Sequence, residues 1–139
     1  MGCDIHLWLE VRVAGDSDWE FIRVPVYCYR SYRLFAYLSD VRNDGGVVPF
    51  GFPQEGSDRG AFLDAHGVSA VVRESLVDDS DFHSVTILQY RLLASALDRA
   101  QNDSEVEVNT ELLSVWVEML WMLLELGFAD ARLVVAYDN

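Results

Sequence analysis

Met1-Gly2-Cys3-Asp4-Ile5-His6-Leu7-Trp8-Leu9-Glu10-Val11-Arg12-Val13 opens the chain, and its alternation decides the fold. Successive side chains of a strand point to opposite faces. Ile5, Leu7, Leu9, Val11 and Val13 therefore form one apolar face, while Asp4, His6, Trp8, Glu10 and Arg12 share the other. A carboxylate and an imidazole thus stand side by side at the start of a strand. The turn-rich Ala14-Gly15-Asp16-Ser17-Asp18 follows, and Trp19 to Val26 reads as the returning arm of a hairpin, with Pro25 at an edge or near its end.

Working outward, Arg132 to Tyr137 is the last strand. Pairing beside the first strand would bring Asp138-Asn139 to one end of it. Ser31 is positioned to cap a helix whose apolar face is Leu34, Phe35, Leu38 and Val41, and Arg42-Asn43-Asp44-Gly45-Gly46 ends it. A loop to about Gly60 is followed by a short helix within Gly67 to Val77. Ser84 to Ala100 starts extended and continues as a helix. Thr110 opens the best-marked helix, closed by Gly127, with a polar stripe of Glu111, Ser114, Glu118 and Glu125 on an otherwise apolar surface. That helix is either the central core helix or one that shows an apolar side to a second subunit, giving a homodimer. The whole reads as one α+β domain over residues 1–139: a small antiparallel sheet, made of the N-terminal hairpin and the C-terminal strand, packed on one face by several helices.

Of the 139 residues, 51% are hydrophobic, enough for a core without staples. The net charge is −13, and all ten basic residues are arginine. Such a charge repels phosphate backbones and argues against direct nucleic-acid binding. It suits a solvated acidic surface, a host protein with a basic surface, or mimicry of a nucleic acid. No apolar run reaches the roughly 20 residues of a membrane span, and no basic leader precedes the first strand, so a cytoplasmic protein is expected. Two cysteines, Cys3 and Cys28, make no disulfide framework.

Several blocks resemble a family of small proteins frequent in phage and prophage genomes, whose members begin Met-Gly-Cys-Asp-Ile-His. Residues 30–43, RSYRLFAYLSDVRN, resemble the family's RNYDLFAxLADVRN. Phe52-Pro53 before Ser57 resembles GLPxDxS, residues 81–88 (DFHSVTIL) resemble GHSHSWLTL, and residues 132–139 (RLVVAYDN) resemble VRIVFWFDN. The blocks keep the family's order and span nearly the whole chain. The chain departs from the pattern at Phe82-His83, where the family's motif has two histidines and this chain only one clear match, and at Val85, where the family has tryptophan. The resemblance implies a phage-type genome and marks where a site lies; it carries no activity.

Asp4-x-His6 and Asp81-x-His83 each put a carboxylate and an imidazole on one strand face, a pattern that suits Zn²⁺, Mn²⁺ or Fe²⁺. Together, with Asp138 as a further donor, they would form one metal site able to activate water. The plainer reading of Asp4 and His6 is a hydrogen-bonded pair that pins the first strand. Arg42-Asn43 offers a fork for a carboxylate or phosphate beside an amide reader; the same two residues equally serve to end a helix. A pocket of Asp4, His6, Arg42, Asn43 and Asp138 would hold a nucleotide-like ligand. Asp78, Asp79 and Asp81 form an acidic patch that suits a basic partner. Cys3 is a poor nucleophile, because its carboxylate neighbour raises a thiol pKa. Two classes of function fit. One is an acidic accessory protein that binds and inhibits a host defence system (anti-CRISPR or other anti-defence type) or a host enzyme. The other is a metal-dependent hydrolase of a phosphoester or nucleotide.

Overall fold

In the computed structural model, which describes residues 2–16 and 18–138, the opening alternation becomes β1 (Ile5–Arg12). It pairs antiparallel with β2 (Trp19–Ile22) on one side and β4 (Asp130–Tyr137) on the other. β3 (His83–Gln89) pairs antiparallel with β4 and completes a four-stranded sheet in the order β2-β1-β4-β3. The first and last strands are therefore central neighbours, as expected. The hairpin's second arm stops at Ile22, before Pro25. The extended start of the 84–100 segment is the edge strand β3, which runs directly into α4 (Tyr90–Asn102).

The sheet is covered on both faces, not one. Leu133, Val135 and Tyr137 share a core with Ile5, Leu9, Phe35, Leu93 and Trp116. That core lies under α1 (Tyr32–Ser39), α4 and α5 (Glu111–Glu125). Val134 and Ala136 pack oppositely, with Leu63 of α2 (Arg59–Ala65) and with Val72 and Leu76 of α3 (Ala70–Val77). The reason is written in β4: Leu133-Val134-Val135-Ala136-Tyr137 is apolar without alternation, and such a strand needs cover on each side. The presumed outer face of β1 is therefore half interior. Glu10 is wholly buried, and its carboxylate accepts from Arg132 Nε at 2.8 Å and from the Ser69 N–H at 2.8 Å. The Arg132 guanidinium lies 4.0 Å from the Trp19 ring centre.

Two local devices fix the end of the sheet where β1 starts. α1 ends at Asp40 in a left-handed conformation (φ 58°). The loop beyond it is drawn back, the Phe50 N–H donating to the Tyr37 carbonyl and the Gln54 N–H to the Val85 carbonyl at 2.7 Å. Gly51 is required there, because a Cβ would fall 2.0 Å from the Leu38 carbonyl oxygen. A buried hydroxyl chain then ties three elements together. Tyr137 Oη donates to Ser39 Oγ at 2.8 Å, Ser39 and Thr86 hydroxyls meet at 2.7 Å, and Thr86 donates to the Ser84 carbonyl at 2.9 Å.

α5 buries Leu112, Leu113, Trp116 and Leu120 but leaves Val115, Trp121 and Met122 exposed. It is a core helix with a second, apolar outer side. Among the described residues, no helix is long and apolar enough to cross a membrane.

Candidate functional site

The start of β1, the end of β4 and the loop into β3 converge at one end of the sheet. Asp138 is the hub. Its N–H donates to the Asp4 carbonyl at 3.0 Å, and its Oδ1 accepts from the Asp4 N–H at 3.1 Å. Its Oδ2 lies 2.7 Å from His6 Nε2. The bond to His6 and the backbone N–H of Asp4 hold the Asp138 carboxyl below the usual carboxylate range. An ionised Asp138 can only accept in these contacts. Arg30 donates through Nε (2.9 Å) and Nη2 (2.8 Å) to Asp4 Oδ1. Its guanidinium lies over Gly2, where a Cβ would fall 2.5 Å from the nitrogens.

Asp79, Asp81 and Phe82 form the opposite wall of a cleft of about 480 Å³ with Asp4, His6 and Asp138. The Phe82 ring stands edge-on to His6, with centres 4.8 Å apart. Its loop is held from beneath by Arg59, which donates to the carbonyls of Leu76 (2.7 Å), Asp79 (2.8 Å) and Phe82. The Asp81 N–H adds a bond to Asp79 Oδ1 at 2.9 Å. Asp78 and Asp81 remain exposed and Asp79 half-buried.

The structure divides the expected sites differently from the sequence. Asp4, His6, Asp81 and Asp138 line one cleft. His83 does not join them. His6 is opposite Ala136 and His83 opposite Tyr137 in the ladder, so the two imidazoles leave opposite faces of the sheet. The His83 ring instead lies 6.2 Å from that of Tyr137, with Nδ1 2.9 Å from Ser84 Oγ. The cause is a bulge at Ser84 (φ 55°), which breaks the register between His83 and Thr86. The ligand set Asp4, His6, Asp81, His83 is accordingly not assembled. Among the described residues, no three His, Cys, Asp or Glu side chains are arranged to hold a metal ion.

Arg42 and Asn43 are not among the residues that line this cleft. The Asn43 amide donates to Asp40 (2.7 Å) and to the Val47 carbonyl (2.6 Å), and its oxygen accepts from the Val47 N–H (2.8 Å). Both ends of that amide close the loop after α1, the helix-ending role that its sequence position also suits. Arg42 lies over the Tyr32 ring and beside Cys3. Burial pushes the Cys3 thiol up, more than Arg42 and its other neighbours shift it, which leaves it a poor nucleophile. His66 caps α2 against Phe62.

Two residues that build the site, Arg30 and Arg59, were not singled out from sequence, and neither was the buried Glu10–Arg132 pair. Arg30 and Arg59 sit in segments with no period to mark them. The Glu10–Arg132 pair had a readable signal: opposite charges at alternating positions of strands expected to be neighbours. No family model, curated protein or solved structure matches this chain.

Proposed function

We propose that the protein acts by binding: it is an acidic inhibitor that occupies the basic surface of a host protein, of the kind a phage directs against a host defence system. The observation that carries this reading is the 78–82 loop. The carboxylates of Asp78 and Asp81 face solvent, while Arg59 fixes the loop's backbone through the carbonyls of Asp79 and Phe82 and ties it to α3 through that of Leu76. A loop ordered before contact loses little further freedom on binding, which favours affinity. Asp4 and Asp138 extend the same acidic end across the cleft. With a net charge of −13, encounter with a cationic surface is steered electrostatically. The resemblance to phage proteins supplies the setting.

The experiment is capture on the immobilised 139-residue chain from a bacterial extract, at low and high salt, beside the variant D78R/D79R/D81R. Basic proteins should be retained by the wild type, released as salt shortens screening to about 8 Å or less, and not retained by the variant. Equal melting temperatures would show that the variant is folded. Retention of the same proteins by both chains would refute the reading.

A further inference from the structure

A cavity of about 790 Å³ lies elsewhere, along the outer side of β3. Its walls include Phe52 and Phe62, with the carboxylates of Asp40 and Glu55 and no arginine. Its floor is the free edge of the sheet at Ile87 and Gln89.

The ladder fixes which way that edge points. The Asp138 N–H donates to Asp4 on β1. By alternation, the backbone groups of Ala136, Val134 and Arg132 also turn to β1, and those of Tyr137, Val135 and Leu133 turn to β3. Thr86 and Leu88, opposite Val135 and Leu133, pair with β4. Ile87 consequently turns both its N–H and its carbonyl away from the sheet, and the Gln89 N–H lies on the same side. Among the described residues, no hydrogen bond outside the ladder reaches Ile87. The preceding outward carbonyl, that of Val85, is already taken by the Gln54 N–H at 2.7 Å. The 49–55 loop therefore covers the edge up to Val85 and leaves it open at Ile87, inside an apolar and acidic cavity.

We propose that this edge is a docking site for an extended peptide segment of a partner protein, one bearing arginine or lysine next to apolar residues. The segment adds as a short fifth strand at Ile87, using main-chain hydrogen bonds for affinity and the cavity for side-chain choice. The residue opposite Ile87 enters the space between Phe52 and Phe62. A neighbouring basic side chain meets Asp40 or Glu55, of which Glu55 is exposed. This site does not rest on the acidic 78–82 loop.

The test uses the peptide acetyl-Thr-Val-Arg-Val-Thr-amide, followed by amide chemical shifts of the full chain. Its control is the same peptide methylated on the Val and Arg nitrogens, which cannot pair as a strand. The Ile87 and Gln89 amides should move on titration. Methylation should weaken binding about tenfold or more, equivalent to one or two lost hydrogen bonds. The variant D40N/E55Q should weaken it severalfold; asparagine suits the left-handed backbone at Asp40 and can still accept from Asn43. Three results would each overturn the proposal: equal binding of the methylated peptide, shifts confined to Asp78–Asp81, or movement of Ile87 with protein concentration alone. The last would make a second copy of the chain the occupant.

Discussion

Replacing Glu10 by glutamine preserves the shape of a side chain that is 0% exposed and removes only its charge. Arg132, 2% exposed, then keeps a guanidinium with no carboxylate at 2.8 Å. At that distance and an effective dielectric of about 20, the lost attraction is about 6 kcal/mol. Part is recovered because a neutral amide costs less to bury, so the expected net loss is about 3–5 kcal/mol. A domain of this size has only about 5–15 kcal/mol in total. In urea, with a slope of about 2 kcal/mol per M, the midpoint should fall by about 1.5–2.5 M. Fluorescence of Trp19, stacked 4.0 Å from that guanidinium, reports the change locally. The double variant E10L/R132M removes both charges at once. It should lie within about 1–2 kcal/mol of wild type, since the gain from desolvation offsets the acceptor lost to the Ser69 N–H. A loss below about 1 kcal/mol in E10Q would refute this account, by showing that the pair is effectively solvated.

Replacing Arg59 by methionine should speed amide exchange across residues 79–82 and cost about 1–3 kcal/mol, because three carbonyls lose a charged donor; unchanged protection would show that the loop is ordered by something else. The lowered pKa of Asp138 contributes stability that is present above its ordinary value of 3.8 and lost as pH falls through the native value. Wild type should accordingly lose more stability than D138N between pH 5 and pH 3 in denaturant titrations, and parallel curves would contradict the His6–Asp138 geometry. On α5, W116A should cost about 3–5 kcal/mol. M122E, at a site 62% exposed, should change stability by about 0.5 kcal/mol or less. Sedimentation of M122E beside wild type reads out whether the outer side of α5 joins two subunits.

Local pattern was enough for the elements whose signal is periodic. The alternation from Ile5 to Val13, the i, i+3, i+4 spacing of Leu34, Phe35 and Leu38, and the Thr110–Gly127 brackets each specify an element by its own residues. The pairing of first and last strands followed because two apolar strands need neighbours. The unbroken apolar run Leu133–Tyr137 also held the evidence for a sheet covered twice, although α2 and α3 have weak periods of their own. The candidate site was legible as far as Asp4, His6 and Asp138, which the β1–β4 register must bring to one end. Where His83 points was not legible. Side-chain period in a strand is two, so one extra residue at Ser84 reverses the face of everything before it, and a bulge depends on tertiary pairing. Nor does any pattern announce that Arg59 turns inward to three carbonyls or that Ile87 is left unpaired at an edge. Sequence by itself determined which residues prefer strand, helix and core, because those preferences are local and periodic. Only the tertiary structure decided which charges meet, which are buried and which backbone groups stay free, because those depend on contacts between residues up to 134 positions apart.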